Sequence, residues 1–147
     1  MFSGPSWVGN TKNDMTTKIT QAVLDNLTKE AKELPRLRKH MDLRNNAEDQ
    51  SQRMVIAIEP GSVVPIHRHQ KTSETIVCLR GKIVVEFYDD LERICTDSII
   101  LTPNGQTVAV NIPIGQWHTT HALDSGTVIM EVKDGHYEPL PDMDILK

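Results

Sequence analysis

Residues 61–81 read GSVVPIHRHQKTSETIVCLRG, and their spacing decides the fold. His67 and His69 are one residue apart, so on an extended chain both side chains leave the same face. Residues 70–73 are polar and suit a turn, after which Glu74 opens a second β-rich run, ETIVCL. Two imidazoles and a carboxylate gathered in this way are borderline and hard ligands for a divalent transition metal. A fourth candidate lies downstream in Pro113-Ile114-Gly115-Gln116-Trp117-His118, where His118 follows a Pro/Gly turn. The expectation is one metal ion held by His67, His69, Glu74 and His118.

The two stretches, G-x5-H-x-H-x4-E-x6-G over 61–81 and P-x-G-x2-H over 113–118, resemble the two cupin motifs. In metal-binding cupins these motifs carry a three-His, one-Glu site inside a small β-barrel. The resemblance therefore implies a mainly β chain folded as a cupin double-stranded β-helix, a jelly-roll barrel, with the same four ligands. The second motif departs from the pattern in two places. Gly105 precedes Pro113 by eight residues rather than six, and Ala122 stands where an Asn often closes the motif.

A wider likeness runs over roughly 19–140. Pro35-Arg36-Leu37-Arg38 and Asp42-Leu43-Arg44 precede the first motif, and Glu131-Val132-Lys133-Asp134-Gly135-His136-Tyr137 follows the second. Together these are similar to the WbuC-type cupin fold metalloproteins, often associated with bacterial O-antigen or surface-polysaccharide gene clusters. That resemblance implies a metalloprotein that acts on or binds a small anionic or saccharide-related ligand.

The whole chain narrows the classes further. Its 147 residues are one domain's worth, with net charge −4 and pI near 5.8, which argues against nucleic acid as a partner. No stretch approaches the ~18 apolar residues of a membrane span. The opening MFSGPSWVGN has neither the charged nor the apolar region of a secretory signal, so cytoplasm is the expected location. Cys78 and Cys95 show no metal spacing and read as free thiols in strand-like segments.

In chain order, residues 1–14 read as a loose extension, 15–52 as a helix and basic connection, 53–133 as the barrel and 134–147 as a tail running over the surface. Apolar Ile19, Val23, Leu27, Ala31 and Leu34 recur at helical steps, and Pro35 ends the run. This one N-terminal α-helix is expected to pack outside the barrel or against a second subunit. Arg36, Arg38 and Arg44 then form a basic run with two readings, a solvated face or an anion pocket at the mouth of the metal cavity. Eight short strands are expected, at 54–59, 63–69, 74–79, 82–88, 94–102, 107–112, 117–123 and 127–132. Strand parity puts Ile83, Val85 and Phe87 on one face and Glu86 and Tyr88 on the other. Glu86 and Tyr88 are the nearby candidates for ligand contact or acid–base work. On the later strand, His118 and Thr120 share a face and His121 points away. Cys78 shares the face of Glu74.

Three imidazoles and one carboxylate leave a divalent site with a charge of +1 and, at six-coordination, two open positions. Zinc, Fe(II), Mn(II) and Ni(II) all accept such a set. Three functions fit. One is an enzyme of saccharide metabolism with the metal as Lewis acid. Another is a cupin-type Fe(II) dioxygenase on a small organic substrate, and the third is a non-catalytic metal-dependent binding or regulatory module. The expected partners are a small-molecule ligand and a second copy in a homodimer.

Overall fold

The computed structural model describes residues 16–91 and 94–146. The proposed extension at 1–14 lies outside them. Helix α1 (Gln21–Glu33) is followed by strands β1 (Arg38–Asp42), β2 (Ser51–Ile58), β3 (Glu74–Arg80), β4 (Ile83–Tyr88), β5 (Cys95–Leu101), β6 (Ala109–Ile112), β7 (Trp117–Ala122) and β8 (Thr127–Asp134). They form a five-stranded sheet, ordered β1-β2-β8-β3-β6, facing a three-stranded sheet, ordered β5-β4-β7. All the pairings are antiparallel, as in a jelly roll.

The strands differ from expectation in two places. The basic connection contains β1, which pairs with β2 from Arg38↔Ile58 to Asp42↔Met54. Its sequence, RKHMD, lacks the apolar alternation that announces a strand. Conversely, 63–69 makes no strand. It touches its neighbours through one bridge position, His67, paired with His118 and with Ile145.

Thr20 caps α1 by accepting the Val23 amide at 3.2 Å, and Leu34 ends it ahead of Pro35. Leu24, Leu27 and Ala31 pack against Val55, Ala57 and Val128, on the outer face of the large sheet. The helix thus covers the outside of the barrel, with Ile19 and Leu34 left at the edge of its stripe.

The opposite faces of the same strands point inward, and the register arranges them in rows. Gln52, Lys133 and Glu74 share one row across β2, β8 and β3. Met54, Glu131 and Ile76 form the next, followed by Ile56, Ile129 and Cys78. From the small sheet, Ile83, Val85 and Leu101 close the core against these deeper rows. The barrel is therefore apolar at one end and polar at the row that holds Glu74. Gly81 makes the β3–β4 turn possible. Its φ is +79°, and a Cβ there would lie 2.7 Å from the Thr127 Cα.

Candidate metal centre

Three elements deliver the histidines to one point. His67 and His118 exchange two backbone hydrogen bonds, His67 N–H to the His118 carbonyl at 3.0 Å and the reverse at 2.8 Å. This locks the first motif onto the start of β7. The Gly115 amide donates to the His69 carbonyl at 2.8 Å, so the Pro/Gly turn of the second motif also anchors the first. Gly115 has φ +82°, which is why glycine belongs there. The ring centroids of His67 lie 5.1 Å from His69 and 4.3 Å from His118.

The hydrogen bonds fix which nitrogen is free. His67 Nδ1 sits 2.8 Å from the Pro65 carbonyl and His118 Nδ1 2.9 Å from the Gln116 carbonyl. A carbonyl only accepts, so each Nδ1 carries the hydrogen and each neutral ring turns an Nε2 lone pair toward the centre. One nitrogen from each of the three rings lies within 4.8 Å of the others. The Nε2 atoms of His69 and His118 are buried, and the group they face is the Glu74 carboxylate. Glu74, itself buried, brings Oε2 to 2.9 Å from His69 Nε2 and Oε1 to 3.8 Å from His118 Nε2.

Imidazole nitrogens and a carboxylate converging in a dry pocket need a cation, a metal ion or a shared proton, to hold them together. Burial, with His118 close by, lowers the His67 imidazole to about 3, which keeps it neutral as a metal ligand requires. Burial pushes the Glu74 carboxyl up. The neighbouring His118 and His69 and the Lys133 ammonium outweigh it, and the group stays well below its ordinary value. The donor set of three imidazoles and one carboxylate fits a divalent transition metal.

The residue between the two motif histidines faces away and holds the frame. Arg68 Nε donates to Asp144 at 2.9 Å, its Nη1 lies 3.4 Å from Asp90, and its guanidinium stacks 4.6 Å from the Trp117 ring. Gln70 donates to the same Asp144 oxygen at 2.6 Å, and the Leu146 amide to the Ile66 carbonyl at 2.8 Å. The C-terminal segment is mostly exposed, yet these bonds pin it across the first motif. It walls a cavity of about 460 Å³ that reaches His69, with Gln52, Lys133, His136 and Met143 also on its lining.

The other candidate residues fall elsewhere. Arg44 makes a bidentate pair with Asp42, donating from Nε to Oδ1 at 3.0 Å and from Nη2 to Oδ2 at 2.6 Å, and both side chains are buried. Arg38 is buried and donates to Ser62 Oγ and the Val63 carbonyl, both at 3.0 Å. Its position pairs with Ile58, at the far end of β2 from the Gln52 row. Arg36 is exposed and does not line the cavity that reaches His69. None of the three guanidinium groups lines that cavity, because β1 turns Arg38 and Arg44 into internal bonds. Glu86 and Tyr88 lie on the outward face of β4, opposite in parity to the core residues Ile83 and Val85. There Glu86 Oε1 lies 2.8 Å from His121 Nε2, so His121 is turned outward as its parity predicts.

Two inward-facing residues of β8 were not singled out by the sequence. Lys133 Nζ lies 3.9 Å from Glu74 Oε2, and Glu131 is buried one row deeper. Burial, with Glu74 nearby, pushes the Glu131 carboxyl up to about 8. Their signal was polar residues at alternate positions of an otherwise apolar strand, TVIMEVKD, which becomes legible once its inward face is known.

Residues 19–100 match the model of a family described as "Domain of unknown function (DUF6016)". No curated protein matches the chain. Solved structures share its fold at low identity. KdgF from Halomonas sp. is 15% identical, with a TM-score of 0.54, over 68% of this chain and 82% of that one. A cupin 2 domain-containing protein from Halorhodospira halophila is 21% identical, with a TM-score of 0.54, over 71% and 70%. An oxalate oxidase in complex with the substrate analogue glycolate is 17% identical, with a TM-score of 0.56, over 73% of this chain and 55% of that one. The fold is the cupin jelly roll, and its histidine cluster can bind a metal.

Proposed function

Since the chain belongs to the DUF6016 family, whose description names no activity, we propose a function from the chemistry of the site. The protein is a metal-dependent cupin that binds a small anionic ligand at a cation held by His67, His69, Glu74 and His118. The observation that carries this reading is the convergence of three imidazole nitrogens on the buried Glu74 carboxylate, with the Nε2 atoms of His69 and His118 turned toward it. When bound, the metal supplies a Lewis acid with a net site charge of +1. The protein's own residues orient and select the ligand. The Nδ1–H bonds hold the rings, the pinned C-terminal segment walls the approach, and Lys133 adds positive charge beside Glu74.

A cavity of about 460 Å³ is large enough for a molecule the size of a monosaccharide. The likeness to WbuC-type cupins favours a saccharide-related acid, such as one handled in surface-polysaccharide metabolism. The glycolate complex of the oxalate oxidase shows that protein, on the same fold, holding a small carboxylate. Calorimetry on metal-loaded and metal-stripped protein tests the reading, with sugar acids, simple carboxylates and neutral sugars as probes. Acids are expected to bind only the loaded form. Equal binding of neutral sugars, or of acids to the stripped protein, would contradict it.

A further inference from the structure

Lys133 and Glu131 occupy successive inward positions of β8, beside and beneath Glu74. The other basic groups around the cavity have carboxylates of their own. Lys71 pairs with Glu138 at 3.0 Å, His136 with Glu138 at 3.4 Å and Arg68 with Asp144 at 2.9 Å. The nearest carboxylate to Lys133 is Glu74 at 3.9 Å, which the metal also claims. With that charge shared, the Lys133 ammonium remains as a docking point for an anion. It is mostly buried and lines the cavity, so an anion there meets little competing water.

Glu131 is a different kind of group. It is 6% exposed and, among the described residues, makes no hydrogen bond or ion pair. Met54 and Ile76 flank it in register, and Ile129 lies below it in the core. A carboxyl in such surroundings has oxygens able to accept a hydrogen bond from a ligand hydroxyl. Buried polar groups of this kind are ordinarily satisfied, so its partner is to be sought in what fills the space above it.

We infer that the inner face of β8 reads the ligand: Lys133 holds its carboxylate beside the metal, and Glu131 hydrogen-bonds a hydroxyl one row deeper. The ligand class is therefore a small hydroxy acid, sugar acids included. This rests on the metal-centred reading above and sharpens it.

Three three-carbon probes separate the two contacts. Glycerate carries a carboxylate and hydroxyls, propionate only the carboxylate, and glycerol only hydroxyls. Each is titrated calorimetrically into zinc-loaded protein, with metal counted by mass spectrometry and folding checked by circular dichroism. The wild type is expected to bind glycerate about tenfold more tightly than propionate, and glycerol least. Lys133→Met should weaken glycerate and propionate alike, by about tenfold. Glu131→Leu should bring glycerate down to the propionate level while leaving propionate unchanged, and Glu131→Gln should keep the preference. Equal affinities for glycerate and propionate in the metal-loaded wild type would overturn the inference, as would a preference that survives in Glu131→Leu or no binding of either acid. A wild type that takes up no metal would overturn the reading beneath it as well.

Discussion

The chain buries charged and polar side chains in two regions, β1 and the metal centre, and treats them oppositely. On β1 the Asp42 carboxylate accepts the Arg44 guanidinium in a bidentate pair, and Arg38 is held by Ser62 and the Val63 carbonyl. Every one of these contacts is supplied by the protein. At the metal centre His67, His69 and His118 converge on one point and bury their nitrogens against the Glu74 carboxylate, an arrangement suited to a cation the protein does not itself supply. What sets the metal centre apart from the charge run of β1 is the gathering of three imidazoles and one carboxylate within coordinating reach of a single point.

The contrast predicts opposite responses to mutation. The largest effect on stability belongs to β1. Asp42→Ala leaves the Arg44 guanidinium buried without its carboxylate, and chemical denaturation should show a loss of about 3–5 kcal/mol. Metal content should stay at the wild-type level. If Asp42→Ala instead lost metal and kept its stability, the two regions would have exchanged roles.

A somewhat smaller effect follows pH. Burial first, then Arg36 and Arg38, lowers the His40 imidazole to about 4 from an ordinary 6.5. The unfolded chain takes up this proton before the folded one does. The related stability is therefore complete above pH 6.5 and is lost as pH falls through the folded value near 4. The expected loss is on the order of 3 kcal/mol, seen as a falling denaturation midpoint in metal-free protein. His40→Gln should reduce that slope, the rest belonging to the buried His67 imidazole, and an unchanged slope would show that His40 charges freely in the fold.

Metal binding should stabilise by mass action alone. At free metal a hundredfold above its dissociation constant the gain is about 2.7 kcal/mol, and chelation should remove it. Neither should depend on Arg38 or Arg44. The smallest effect is at the helix, where Thr20→Ala removes the cap on α1 and should cost about 1 kcal/mol with no change at the metal.

What could be read from the sequence divides along the same line. The four ligands lie within short motifs whose spacing is local, so strand parity and two turns bring their reading within reach. The inward and outward assignments of His118, His121 and β4 follow from the same period of two. β1 was not legible, because RKHMD faces the barrel with Arg38, His40 and Asp42, whose partners lie far along the chain at Ser62 and Val63 or turn back locally to Arg44. Nor were Lys133 and Glu131, whose roles depend on pairing β8 between β2 and β3. Apart from the local Asp42–Arg44 pair, these omissions concern contacts that only long-range register creates.

The central claim is that the cluster of His67, His69, Glu74 and His118 exists to hold one metal ion. Metal counting by mass spectrometry, after equilibration with zinc, Mn(II) or Ni(II) and removal of excess, tests it most directly. The wild type should retain about one ion per chain, while a His67→Ala, His118→Ala double variant with an unchanged circular dichroism spectrum should retain almost none. Full occupancy in the double variant, or none in the wild type with any of the three metals, would contradict it.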